Sequence, residues 1–149
     1  MSGKRHARTT EIDGVLARIH TVAVVGLSPR PSRPSHGVAR YLQGAGLRIL
    51  PVNPCGGTIL GETVYQGLGA LPELHAVDVI DVFRRPEALP TLVGELERLW
   101  GPTGKEKPLL WFQLGVRHPQ AEARALALGF DLVADRCLLV EHRRWRAGS

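Results

Sequence analysis

The residues best equipped for chemistry in this 149-residue chain lie in one stretch, Gly26-Leu-Ser-Pro-Arg-Pro-Ser-Arg-Pro-Ser35. It follows a β-branched run, Thr21 to Val25, and precedes a helical period. Strand, glycine, polar loop and helix start, in that order, make an anion site. The first N–H groups of the helix have no intrahelical partner, and the helix dipole adds partial positive charge. Ser28, Ser32 and Ser35 add hydroxyl donors, and Arg33 adds a fork of charged donors suited to phosphate. Pro29, Pro31 and Pro34 stiffen the loop, so less entropy is lost on binding. Two other segments end strands: Asn53-Pro54, and Phe83-Arg84-Arg85-Pro86. Ligands of open α/β sheets bind beyond the carboxyl ends of the strands, so the three segments are expected to converge.

The first segment departs from the dinucleotide fingerprint G-x-G-x-x-G. Gly26 matches its first glycine, but Ser28 replaces the second and Pro31 falls at the third. An NAD site also places Asp or Glu at the end of the second strand to hold a ribose hydroxyl. Asn53 stands there, which disfavours NAD. A catalytic constellation is not evident. Cys137 and His142 are five residues apart, which on a strand puts them on opposite faces and argues against a nucleophile–base pair. Asp78 and Asp81 likewise fall on opposite faces of their strand and form no carboxylate dyad. His36 opens the second helix, where it touches a phosphate or caps the turn, and His118 has no evident ligand partner. Cys55 and Cys137 stand in no C-x-x-C pair, so free thiols are expected and a structural zinc is not.

The elements that must position these groups alternate between short apolar runs and helical periods, the pattern of a parallel sheet covered by helices. Ile12, Val15, Leu16 and Ile19 mark an amphipathic helix ahead of the sheet. Thr21 to Val25 reads as a buried strand. Val38, Tyr41, Leu42 and Ala45 share one face of a helix with Ser35 as its expected N-cap and Gly46 just past its end. Leu47 to Val52 is the second strand, with Pro51 marking an edge or a bend. Asn53 to Gly69 reads as a loop with a short extended piece near Thr63 to Tyr65. Val77 to Phe83 is the third strand. A helix begins near Pro86 and carries Leu89, Leu92, Val93, Leu96 and Leu99. Gly101 to Pro108 reads as a polar loop and Leu109 to Phe112 as the fourth strand. An alanine-rich helix, Pro119 to Leu128, ends at Gly129. Leu132 to Ala134 reads as a fifth strand that Cys137 to Val140 extends or follows. The expectation is a doubly wound α/β domain with a five-stranded, mostly parallel sheet and helices on both faces.

Composition agrees with a globular domain: 44% of residues are hydrophobic and 22% charged. No apolar run approaches the roughly 20 residues that span a bilayer. Met1 to Thr10 is basic without an apolar stretch behind it, so no secretory signal is read and a cytoplasmic protein is expected. Nineteen Lys and Arg against 14 Asp and Glu give a net charge of +5, which suits an anionic partner. Part of that surplus sits at the ends, in Lys4, Arg5 and Arg8 and in Arg143, Arg144 and Arg146, where it reads as solvated tail or as nucleic-acid contact. No aromatic stacking run supports nucleic acid.

The runs VAVVGLSPRPSRPSHGVARYL, PVNP, ILGETVY, DVIDVFRRPE, WFQLGV and DRCLLVEH together resemble the small stand-alone coenzyme-A-binding proteins. Their domain is similar to the N-terminal domain of the succinyl-CoA synthetase α subunit. The resemblance covers Thr21 to Trp145 and implies a Rossmann-like fold over residues 21–149, with residues 1–20 a basic tail and a helix packed on it. It implies coenzyme A or an acyl-CoA as ligand, with Gly26, Ser28, Arg33 and Ser35 at the phosphates. Val52, Asn53 and Pro54 would lie along the adenosine, and Phe83, Arg84 and Arg85 along the nucleotide or pantetheine. Such proteins often carry a basic residue after the VNP motif, where this chain has Cys55. The synthetase's phosphohistidine domain has no counterpart here, so ligase activity does not carry over. The expected role is binding without catalysis, and the alternative is an NAD(P)-linked Rossmann-type enzyme or redox sensor.

Overall fold

A computed structural model describes residues 5–101 and 106–148. Lys4 and most of the polar loop expected between Gly101 and Pro108 lie outside the described residues. Five strands form one sheet: β1 (Thr21–Val25), β2 (Arg48–Val52), β5 (Val79–Val82), β6 (Leu109–Phe112) and β7 (Leu132–Val133). Their order is β2-β1-β5-β6-β7, and every pairing is parallel. A two-stranded hairpin, β3 (Thr58–Ile59) and β4 (Glu62–Thr63), follows β2. The fold is therefore α/β and Rossmann-like. The direction in which the sheet is wound reverses between β1 and β5. The connection from β1 runs outward to β2 and that from β5 runs the other way to β6, so the loops after these two strands part and leave a crevice.

Two apolar layers hold the sheet. Ile80, Val82, Leu110 and Phe112 face α3 (Leu89–Trp100) and α4 (Pro119–Ala127), meeting Leu92, Val93, Leu96 and Ala125. The alternate residues Val22, Val24, Val79, Leu109 and Trp111 face α1 (Thr9–Leu16), α2 (Pro34–Gly44) and α5 (Leu138–Ala147), meeting Ile12, Leu16, Val38, Leu42 and Leu138. All five residues of β1 are buried, as a central parallel strand requires. No helix among the described residues is long and apolar enough to cross a membrane.

The structure moves some expected boundaries. The first helix stops at Leu16, and Ile19 is buried beyond its end. The N-cap of α2 is Arg33, not Ser35. Pro34 has a fixed φ and no N–H to satisfy, so it takes the first helical position and the helix starts earlier. Gly46 does close this helix, with φ +94° and the Leu47 N–H donating to Leu42 O at 3.1 Å. The third strand is shorter than expected, and its helix is preceded by a 3₁₀ turn over Pro86–Ala88. Cys137 to Val140 neither extends nor follows β7 as a strand: helix α5 begins at Leu138. Leu138, His142 and Trp145 recur at helical spacing on its inner face, and the Leu138 N–H donates to Gln113 Oε1 at 3.0 Å. Arg143, Arg144 and Arg146 are thus helical, and Arg144 pairs with Asp13 at 2.7 Å.

The free edge of β7 is covered by the N-terminal segment, where the Ala7 N–H donates to Leu132 O at 2.8 Å. Beside it lies Glu122, whose side chain is 2% exposed. Burial alone raises the Glu122 pKa. The Arg117 fork, the His118 N–H and the His6 ring outweigh burial and bring the carboxyl down to about 2. A depressed acid stabilises the fold above its unfolded pKa, and that contribution is lost as pH falls through about 2. Glu122→Gln should cost about 2 kcal/mol at pH 7, an estimate discounted because Arg117 and His6 are half exposed. Thermal unfolding should show that gap closing as pH drops from 5 towards about 2. A gap constant with pH would remove the ion cluster from the stability of this edge.

Asp81 behaves oppositely. It lies mid-strand in β5 on the Val79 face, is fully buried, and neither carboxylate oxygen has a hydrogen-bond partner. Burial pushes its pKa well up, which favours the neutral acid in the fold. Its contribution is fully present below the unfolded pKa and is lost as pH rises towards the folded one. Asp81→Asn should melt near the wild type at pH 4 and several degrees above it at pH 8. Equal melting at both values would mean that Asp81 is not protonated in the fold.

Candidate ligand site at the sheet crossover

Gly26 leaves β1 at φ +86°. A Cβ on it would stand 2.1 Å from the Phe83 carbonyl oxygen, so no other residue fits without backbone displacement. Its N–H donates to Val52 O at 2.8 Å, and the Phe83 N–H donates to Val25 O at 2.8 Å. The ends of β1, β2 and β5 are tied together at this glycine.

The loop beyond is folded onto the start of α2. The Ser35 hydroxyl accepts the Ser28 N–H at 3.0 Å, and the Ser28 hydroxyl accepts the Arg30 N–H at 3.1 Å. Ser35 therefore cross-ties the loop instead of capping the helix, and its own O–H proton remains available to an acceptor. Gly26, Ser28, Arg30, Arg33, Ser35 and Phe83 line a cavity of about 360 Å³. A second, of about 480 Å³, is lined by Phe83, Arg84, Arg85, Glu87 and Ala88. Phe83 is common to both, so the two adjoin at this residue, and together they make up the groove at the carboxyl end of β5. Four arginines are among its lining residues, Arg30, Arg33, Arg84 and Arg85, beside one acid, Glu87, and none of the four is in an ion pair among the described residues. The groove offers positive charge on a polar, glycine-turned floor beside a helix N-terminus, the chemistry that receives phosphate oxygens.

Seven of the ten residues singled out in the sequence line this groove: Gly26, Ser28, Arg33, Ser35, Phe83, Arg84 and Arg85. Val52, Asn53 and Pro54 do not. The Val52 side chain is buried in the core, and its carbonyl accepts the Gly26 N–H. Asn53 Nδ2 donates to Leu27 O at 2.9 Å, and its Oδ1 accepts the Cys55 N–H at 3.0 Å, which holds the β2 end against the first loop. Arg30 was missed, although its place two residues after Ser28 put it in the same loop.

The other candidates stand outside the groove. His118 Nδ1 accepts the Ala121 N–H and caps α4. Asp78 Oδ2 accepts the N–H groups of His20 and Thr21 and anchors the start of β1. His142 Nδ1 lies 2.8 Å from the Tyr41 hydroxyl, and burial, then Arg146, lowers its pKa. His36 is buried with Nδ1 unbonded and lines neither cavity. No cluster of three or more His, Cys, Asp or Glu among the described residues is placed to hold a metal. A larger cavity of about 570 Å³ opens at the amino-terminal edge of the sheet. Its acids, Asp78, Glu106 and Asp131, outnumber its Arg18 and Lys107, whereas the groove holds four arginines against one acid, so the groove is the better anion site.

Comparison with known proteins agrees with this fold. The Bacillus subtilis (strain 168) protein YneT, itself uncharacterised, is 35% identical over 133 residues, 89% of this chain and 92% of that one. A Thermus thermophilus protein of solved structure superposes with a TM-score of 0.82 at 40% identity, covering 93% of this chain and 99% of that one. A hypothetical protein from Pyrococcus horikoshii OT3 gives a TM-score of 0.83 at 29% identity, covering 98% and 99%. Residues 20–143 match the family described as the CoA binding domain, and the chain belongs to that family.

Proposed function

We propose that the groove binds coenzyme A or an acyl-CoA and that the protein performs no chemistry on it. The observation that carries this reading is the meeting of two arginine-lined cavities at Phe83, directly over the strand crossover. Coenzyme A is an elongated anion whose pyrophosphate joins an adenosine to pantetheine. Gly26, Ser28, Arg33 and Ser35, with Arg30, are suited to the phosphates, and Phe83, Arg84 and Arg85 to the arm beyond them. Val52, Asn53 and Pro54 shape the adenosine end through the backbone contacts of β2. Membership of a coenzyme-A-binding family supports this ligand over NAD, as does Asn53 in place of an acid. The absence of catalysis is supported by the commitment of His142 to Tyr41 and of His118 to its helix cap. The free thiols of Cys55 and Cys137 support a reducing, cytoplasmic setting.

Calorimetric titration with coenzyme A, NAD and NADP side by side tests this reading. Coenzyme A should bind tightest, and NAD or NADP binding more tightly would reverse it. Arg33→Ala should weaken coenzyme A binding about ten- to a hundredfold, the loss of one or two charge-assisted hydrogen bonds. Its melting temperature should stay near the wild type, because Arg33 is exposed. Equal affinity in a folded Arg33→Ala protein would take Arg33 out of the site. Steady acyl-CoA turnover abolished by Cys137→Ala would show a nucleophile.

A further inference from the structure

We infer that the adenosine end of the site recognises no phosphate on the ribose, so that the ligand class is an adenosine diphosphate ester of pantetheine, with the ribose phosphate optional. This rests on the coenzyme A reading above and narrows it. In a doubly wound sheet the ribose lies at the end of the second strand, where an acid holds a hydroxyl or an arginine holds a phosphate. Neither stands there. Asn53 spends one amide hydrogen on Leu27 O and accepts the Cys55 N–H, while its own N–H donates to Tyr65 O at 2.9 Å. It builds the turn and carries no charge.

The residues that follow supply none. Cys55 is exposed, and its thiol points back to Gly56 O at 3.3 Å. Gly56 and Gly57 have φ of +65° and +83° and bring only backbone. From Asn53 to Tyr65 the one charged side chain is Glu62, in β4, an acid that repels phosphate. The cation of β2 itself, Arg48, is at the far end of the strand and pairs with Glu73 at 2.9 Å. All four arginines of the groove belong to the loop after β1 or the end of β5. Charge is concentrated where a pyrophosphate would lie and is absent where a ribose phosphate would lie.

The test compares coenzyme A with 3′-dephospho-coenzyme A by calorimetry on the full chain, in about 0.15 M salt so that long-range attraction is screened. The two dissociation constants should agree within about threefold. Cys55→Lys puts a cation at the β2 end, on an exposed position. It should tighten coenzyme A about tenfold and leave the dephospho form unchanged, which restores a preference the wild type lacks. A wild-type preference for coenzyme A beyond about threefold overturns the inference while leaving the coenzyme A reading intact. So does a folded Cys55→Lys protein in which the ratio of the two affinities does not move. Failure of both ligands to bind overturns the coenzyme A reading, and this inference with it.

Discussion

The contact on which the site depends is the approach of two backbones, Gly26 against the Phe83 carbonyl. The space a Cβ would need is already filled by an oxygen 2.1 Å away. That closeness lets the Gly26 N–H reach Val52 O and the Phe83 N–H reach Val25 O, which aligns the carboxyl ends of three strands. Because β1 and β5 send their connections in opposite directions, this is also where the sheet leaves its crevice. One missing side chain therefore sets both the sheet register at the crossover and the floor of the groove. The loop above is then shaped by short local bonds, Ser28 to Ser35 and Arg30 to Ser28, and three prolines limit its alternatives.

The fold carries a cost near this point. Asp81 sits two residues before Phe83 with both oxygens buried and unbonded, and His36, in the first turn of α2, is buried with Nδ1 unbonded. A buried polar group without a partner costs about 1–3 kcal/mol. An apolar residue at position 81 would suit the surrounding layer of Val22, Val24 and Trp111. Three other buried groups are satisfied: Glu122 by Arg117 and His118, Gln113 by the Leu138 N–H, and Trp111 by Arg136 O. The local conflict falls next to the groove, where sequences more often give up stability than in a plain core.

What the sequence revealed follows from how local each signal was. The strand–glycine–loop–helix unit around Gly26 was legible because every cue lies within about twenty residues and its chemistry is carried by residue type. The α3 period and the Gly46 helix end were legible for the same reason. Ser35 was misread because two rules competed, and the fixed φ of Pro34 beat the capping preference of serine. Helix α5 was misread because an apolar run, Cys137 to Val140, looks like a strand until His142 and Trp145 are counted on the same face. The true lengths of β5 and β7 depend on pairing partners far along the chain. Asn53 shows the limit most clearly: its position was foreseen, but its amide is spent on Leu27 and Cys55, and only the folded loop reveals that.

Charge completes the account. A surplus of five positive charges says little until the pairs are removed. Arg5 meets Glu11, Arg48 meets Glu73, Arg117 meets Glu122, Arg124 meets Glu97, and Arg144 meets Asp13 and Glu141. These pairs lie mostly at the surface, where each contributes little stability but offsets a cation locally. Arg30, Arg33, Arg84 and Arg85, in no ion pair among the described residues, gather around a single groove that also holds Glu87. A cleft in which one sign of charge predominates raises the local concentration of the opposite ion and speeds its capture. The same cleft must weaken its hold as salt screens it, on a length of about 8–10 Å at ordinary ionic strength. Part of the basic surplus first legible as a property of the whole chain thus falls, in the fold, at the crossover, where a backbone turn and a helix start already favour an anion.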